Sequence, residues 1–124
     1  MSVANFLEDT LLNLAFNGTA YAGQATFYTK LHTGDPGEAC TSNAAGETTR
    51  KASTVGASAA GTVTSDADIT WTNVSTGETY SHISLWDAAS AGNALWYGAL
   101  TASKTVNAGD TFTIASGSLT ISLD

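Results

Sequence analysis

The sequence predicts a mainly β fold: an antiparallel β-sandwich or flattened barrel of about eight strands with one N-terminal α-helix. Three observations carry that expectation. Polar character comes from hydroxyls, 20 Thr and 13 Ser, while charged residues make up only 12% of the chain. Threonine favours the pleated, half-buried surface of a strand. Short stretches of alternating apolar and polar residues recur, separated by turn-prone clusters rich in Gly, Asn, Asp and Ser. Helical periodicity occurs once, near the start.

That helix is expected over residues 3–16. Val3, Phe6, Leu7, Leu11 and Leu14 form one stripe of a 3.6-residue period. Ser2 is a candidate cap, Glu8 and Asp9 lie toward the positive end, and Asn17-Gly18 is a stop signal. A helix this short is marginal alone in water, so its stripe must pack on something. The candidates are the domain's own sheet and a neighbouring subunit.

The strands follow in order. Gln24 to His32 alternates and ends at Asp35-Pro36-Gly37, where Pro36 presets φ and Gly37 accepts a positive φ. Residues 37–49 are a long polar loop, and loops of that length usually carry function or move. Arg50 to Val55 reads as a short edge strand, 61–64 as a weak strand and 69–72 as a moderate one. Ser75-Thr76-Gly77-Glu78 reads as a turn.

Residues 82–110 organise the rest. His82 to Leu85 continues an alternation begun at Ser81. Ala89 to Asn93 turns the chain, and Ala94 to Leu100 is apolar on both faces. Such a strand is normally covered on both sides. Asn107 to Asp110 reverses the chain again. Thr111 to Ala115 then alternates, Ser116-Gly117-Ser118 turns, and Leu119, Ile121 and Leu123 share one face of a last strand.

At 124 residues the chain is the size of one domain, 1–124, with a helical part over 1–17 and a β part over 20–124. Its net charge is −7, and Lys30, Arg50, Lys51 and Lys104 are the only cations. Nucleic acid and anionic membranes both demand clustered cations, so neither is an expected partner. The N-terminal residues lack the basic region of a secretion signal, and no apolar run reaches the ~20 residues of a membrane span. Synthesis in a cytoplasm is the expectation. Cys40 is the single cysteine and is read as a tolerated thiol in a reducing compartment.

Chemistry is sparse. A Ser-His-Asp set can be drawn on paper from His32, His82, Ser84, Asp35 and Asp87, but with 13 Ser such a set has little specificity. No nucleophile elbow or phosphate loop occurs. Two separated His and one Cys do not make a zinc set, and Asp66-Ala67-Asp68 has too few ligands for a calcium loop. No catalytic residue, metal or cofactor is expected. Asn17-Gly18-Thr19 and Asn73-Val74-Ser75 match the glycosylation pattern by chance. Tyr21, Tyr28, Trp71, Tyr80, Trp86, Trp96 and Tyr97 fit core or interface anchors better than a sugar-stacking platform.

Several stretches carry a family resemblance. They are Asn5-Phe6-Leu7-Glu8 with Leu11-Leu12, the run from Leu31 to Glu38, the run from Ser81 to Ser90, and the run from Tyr97 to Thr111. Leu119 and the closing Leu123-Asp124 complete the set. In these the chain resembles small tailed-bacteriophage virion proteins catalogued as capsid decoration (cement) or tail fibre proteins; residues 39–67 follow that pattern poorly. The resemblance implies a non-enzymatic structural protein on the exterior of the virion, made in the host cytoplasm. The leading expectation is a cement protein that binds the outer surface of the capsid shell and stabilises it. The major capsid protein would then be the partner, and the chain a homo-oligomer with a trimer favoured. The alternative is a tail fibre or tail-tip module that meets other tail proteins or recognises host surface glycans. Candidate subunit or lattice contacts are Val3, Phe6, Leu7, Leu11 and Leu14 on the helix and Glu38, Thr41 and Asn43 in the loop.

Overall fold

Nine strands and one helix follow one another in the computed structural model, which describes residues 2–123. They are β1 (Ser2–Val3), α1 (Asn5–Phe16), β2 (Phe27–His32), β3 (Lys51–Ser53), β4 (Thr62–Thr64), β5 (Ile69–Trp71), β6 (Glu78–Trp86), β7 (Ala94–Val106), β8 (Phe112–Ile114) and β9 (Thr120–Ser122). Asp124 of the closing pair lies outside the described residues. One sheet has the order β1-β7-β6-β2-β3, and two ribbons pair β4 with β9 and β5 with β8. All pairings are antiparallel. The result is the expected sandwich-like β fold with a short N-terminal helix.

The sandwich follows from alternation. In β2, Phe27, Thr29 and Leu31 point inward. Leu31 stands opposite Ile83, which stands opposite Gly98; Thr29 stands opposite Leu85, which stands opposite Trp96. One face of the sheet is therefore apolar across three strands. The two ribbons cover it with Ile69, Trp71, Phe112, Ile114 and Leu119, all buried. Trp71 packs tilted on Phe112 at 5.7 Å, and Tyr80 meets the same ring edge-on at 5.2 Å. A small second cluster of Ala4, Cys40, Trp86 and Ala94, with Tyr28 and Tyr97 against it, completes the packing. The coverage on both sides of β7 expected from its composition is present only in part: Trp96 and Gly98 are buried on one face, while on the other Leu95 and Tyr97 are half-buried and Ala99 is exposed.

Four expectations need correction. The helix starts at Asn5, not Val3, and Ser2 does not cap it. Ser2 and Val3 instead pair with Tyr97 and Trp96, because the open edge of β7 offers them a ladder. Ala4 takes the N-cap position without a side-chain bond. Second, the stretch before Phe27 lies outside the first long strand. Third, β6 begins at Glu78, and β7 runs on to Val106 rather than stopping at Leu100. The two strands re-pair beyond a bulge: His82 is opposite Ala99 and Tyr80 opposite Lys104, so residues 100–103 stand against Ser81 alone.

Fourth, the 37–49 loop is held down along its length. Gly37 N–H donates to Asp35 Oδ1 (2.9 Å), Cys40 N–H to the Gly37 carbonyl (2.9 Å) and Ala45 N–H to the Leu31 carbonyl (3.1 Å). Carboxylates secure its far end. Glu78 accepts from Gly46 and Glu47 N–H, and Glu47 accepts from Thr49 and Ser75 N–H. Burial works against the charge on Glu47, but these donors outweigh it and hold its pKa below the ordinary value.

The Tyr80 hydroxyl is buried without a hydrogen-bond partner among the described residues, and burial with Glu78 and Glu47 nearby pushes its pKa up to about 12. An unmade bond of this kind costs about 1–3 kcal/mol. Tyr80→Phe is therefore expected to leave stability unchanged or raise it by about 1 kcal/mol in urea unfolding. A loss of similar size would mean that the hydroxyl has a partner.

Candidate functional site

Three places gather the residues that carry chemistry or surplus surface. The first is a buried polar chain beneath the sheet's second face. His32 is fully buried, as is Ser84. The His32 Nδ1 lies 2.9 Å from the Ser42 carbonyl, and Nε2 lies 2.7 Å from Ser84 Oγ. A carbonyl only accepts, so Nδ1 carries the proton and Nε2 accepts from the Ser84 hydroxyl. Trp86 Nε1–H in turn donates to Ser84 Oγ at 2.8 Å. The sequence set Ser84 beside His82 in a notional triad; the ladder gives it to His32 instead. His82 meets the Ser81 hydroxyl at 2.9 Å.

A serine donating to a neutral imidazole has the geometry of an activated nucleophile. Here it does other work. No carboxylate stands behind His32, since Nδ1 is spent on Ser42, and no substrate reaches a fully buried hydroxyl. Burial, with Lys30 and His82 nearby, lowers the His32 pKa, opposed by the carbonyl bonds at Ser42 and Asn43. Cys40 is also fully buried, and burial pushes its thiol up to about 11, which keeps it protonated and inert.

The second place is the 87–93 tip. The Arg50 guanidinium lies 3.8 Å over the Trp86 ring, and its Nη1 donates to the carbonyls of Ala88 (2.9 Å) and Ala91 (2.7 Å). Asp87 accepts from the Asn93 N–H (2.7 Å) and side-chain amide (3.0 Å). The turn expected at 89–93 is thus clamped from outside. The Trp86 face is taken, and Trp71, Tyr80 and Trp96 are buried too. Four of the seven aromatics considered as a sugar platform are therefore closed off. Asp66 and Asp68 are likewise engaged, by the Thr54 hydroxyl and the Ser116 N–H. Among the described residues no group of three or more potential metal ligands is found.

The third place is α1. None of its residues is buried. Of the candidate contacts, Leu7 is half-buried against the core and Leu11 is half-buried, while Phe6 (38% exposed) and Leu14 (45%) are more open. Val3 belongs to β1. Glu38 and Thr41 are exposed, and the Glu38 carbonyl accepts from Asn5 N–H at 3.4 Å, which joins loop and helix start on one surface. Asn43 is exposed but committed: its amide donates to the Asp35 carbonyl at 2.8 Å, and its φ is +50°. The stripe reading passed over Leu12 (57% exposed) and Phe16 (80%). Their spacing, i and i+4, is the signal that finds them.

These features define a β-structural domain whose buried polar groups hold its own loops and whose uncovered surface is a helix. Residues 2–122 match the family described as "Podophage GP4 fiber I protein gp80". The chain belongs to that family; it is a phage fibre structural protein and a component of the virion. No curated protein matches it.

Two outcomes test this description. Gly92 has φ +71°, and a Cβ there would meet Asp87 Oδ1 and lie 2.7 Å from the Ala88 Cβ. Gly92→Ala is expected to cost about 1–3 kcal/mol, read by thermal melting. His32 should titrate below 6.5 by NMR. Between that lowered value and 6.5 the unfolded chain binds more protons than the folded one. Stability should therefore fall as pH drops through about 6.5 and level off below the folded value. A His32 midpoint at or above 6.5 would contradict the buried chain.

Proposed function

We propose that this chain is a non-enzymatic module of the tail fibre, carried on the exterior of the virion and joined to other fibre or tail chains. One observation carries the reading: the match to a fibre family spans 2–122, nearly the whole chain. The structure lends support from a different side. Its histidines and paired acids are spent on internal bonds, its cysteine is buried, and its surplus apolar surface lies on a helix suited to contact with another chain.

The cement reading expected from the sequence, with the major capsid protein as partner and a trimer on a three-fold site, is the weaker one. No distance or surface in the molecule favours it. Glycan recognition through stacked tryptophans also loses ground, because Trp71, Trp86 and Trp96 are buried. Any contact with the host surface falls instead to exposed tips such as 89–93.

Immunogold electron microscopy of intact virions tests the proposal. Gold is expected on the tail appendages. Gold spread over the head would replace the tail-fibre reading with the capsid one, and virions without gold would overturn both.

A further inference from the structure

The helix α1 is apolar on two sides. Leu7 packs on the sheet's core with Leu11, also half-buried, one turn on, whereas Leu12 and Phe16 lie on the opposite face. Glu8, Leu12 and Phe16 fall at i, i+4 and i+8, so they form one ridge, and Asp9 and Asn13 lie beside it. All five are exposed. A helix with apolar residues on both sides belongs in an interior. At 12 residues, and without a side-chain cap, it also gains little from its own hydrogen bonds. The ridge is therefore a surface awaiting cover.

Charge identifies the cover. The helix carries Glu8 and Asp9 and no cation. Glu38, on the loop whose carbonyl meets Asn5, adds a third exposed acid at the same end. The ridge is thus acidic at its N-terminal end and apolar at its C-terminal end. A second copy paired parallel would set these acids against their own kind, and one paired antiparallel would press them, unpartnered, onto Leu12 and Phe16, on a chain already at −7. Nor do the chain's own cations make a socket. Arg50 is committed to Trp86 and two carbonyls, Lys30 lies over the same ring at 5.8 Å, Lys51 is half-buried in β3, and Lys104 stands among exposed Thr and Ser of β7.

We infer that the α1 ridge docks into an apolar groove flanked by Lys or Arg on a different virion protein. Leu12 and Phe16 fill the groove, and Glu8 and Asp9 face its basic rim. Exposed aromatic and aliphatic anchors of this kind carry most of an interface's energy, and the rim charges set partner choice. The inference rests on the reading of the chain as a virion component.

The test is the number of copies of this chain per purified virion, measured by quantitative mass spectrometry. Wild type, Leu12→Ser/Phe16→Ser and Glu8→Lys/Asp9→Lys are each supplied in turn to phage lacking the native chain. Thermal melting and sedimentation of each isolated protein accompany the count. Both variants are expected to fall about tenfold or more in occupancy, the effect of losing one good anchor or its charge match, while the apolar variant melts at the wild-type value and the charge variant, which puts cations at the positive end of the helix, melts slightly lower but stays folded at the assembly temperature. Wild-type occupancy in either variant overturns the inference: retention of the charge variant removes the basic rim, and retention of the apolar variant removes the groove. Self-association of the isolated chain that Leu12→Ser/Phe16→Ser abolishes also overturns it, in favour of a second copy. Should the apolar variant melt lower, the charge variant decides alone. Wild type missing from virions is a separate result, and it overturns the proposed function itself.

Discussion

The structure hangs on one strand being hydrogen-bonded along both edges. β6 fixes β2 on one side and β7 on the other, and its register decides which side chains see the core. A slip of one residue would carry Ile83 and Leu85 to the other face and bring His82 and Ser84 inward. Everything else follows from the register as it stands. The inward set meets the two ribbons. The other set brings Ser84 to His32, and it sets Trp86 beneath Arg50, which then ties down the tip that joins β6 to β7.

Polar groups in this protein substitute for secondary structure. The segment between β2 and β3 has little strand or helix of its own, yet many of its amides find acceptors. Carboxylates supply acceptors at one end, and Asp35 with the strand carbonyls supplies them at the other. Glu47 and Glu78 tolerate each other because each is faced by two N–H donors. A chain with so few charged residues has placed several of them where a backbone needs a partner.

How much of this could be read from residues alone depended on range. The sheet-forming stretches, the helix and its stop at Gly18, and the Asp35-Pro36-Gly37 turn were legible because each is written within a few neighbours. Gly18 has φ +66° and Gly37 φ +71°, as such stops and turns require. The pairing of Ser2 and Val3 with β7 was not legible, since local capping preference gave way to an open edge about ninety residues away in the chain. Ser84 with His32 escaped for the same reason: the contact exists only once β2 and β6 are in register. Leu12 and Phe16 were visible but were passed over, because one apolar stripe had already accounted for the helix. A second stripe on the far side is what separates a helix packed on its own sheet from one that also meets another chain.

The bulge in β7 has a consequence for the open edge of the sheet. Past Tyr97 the outer edge of this strand has no partner strand among the described residues, and a long open edge is a template on which further strands can add. Residues 100–103 break that template. Four residues stand against one, so the backbone bends and the spacing of its donors and acceptors no longer matches a straight incoming strand. An edge interrupted in this way is a poorer template for an added strand than a straight one.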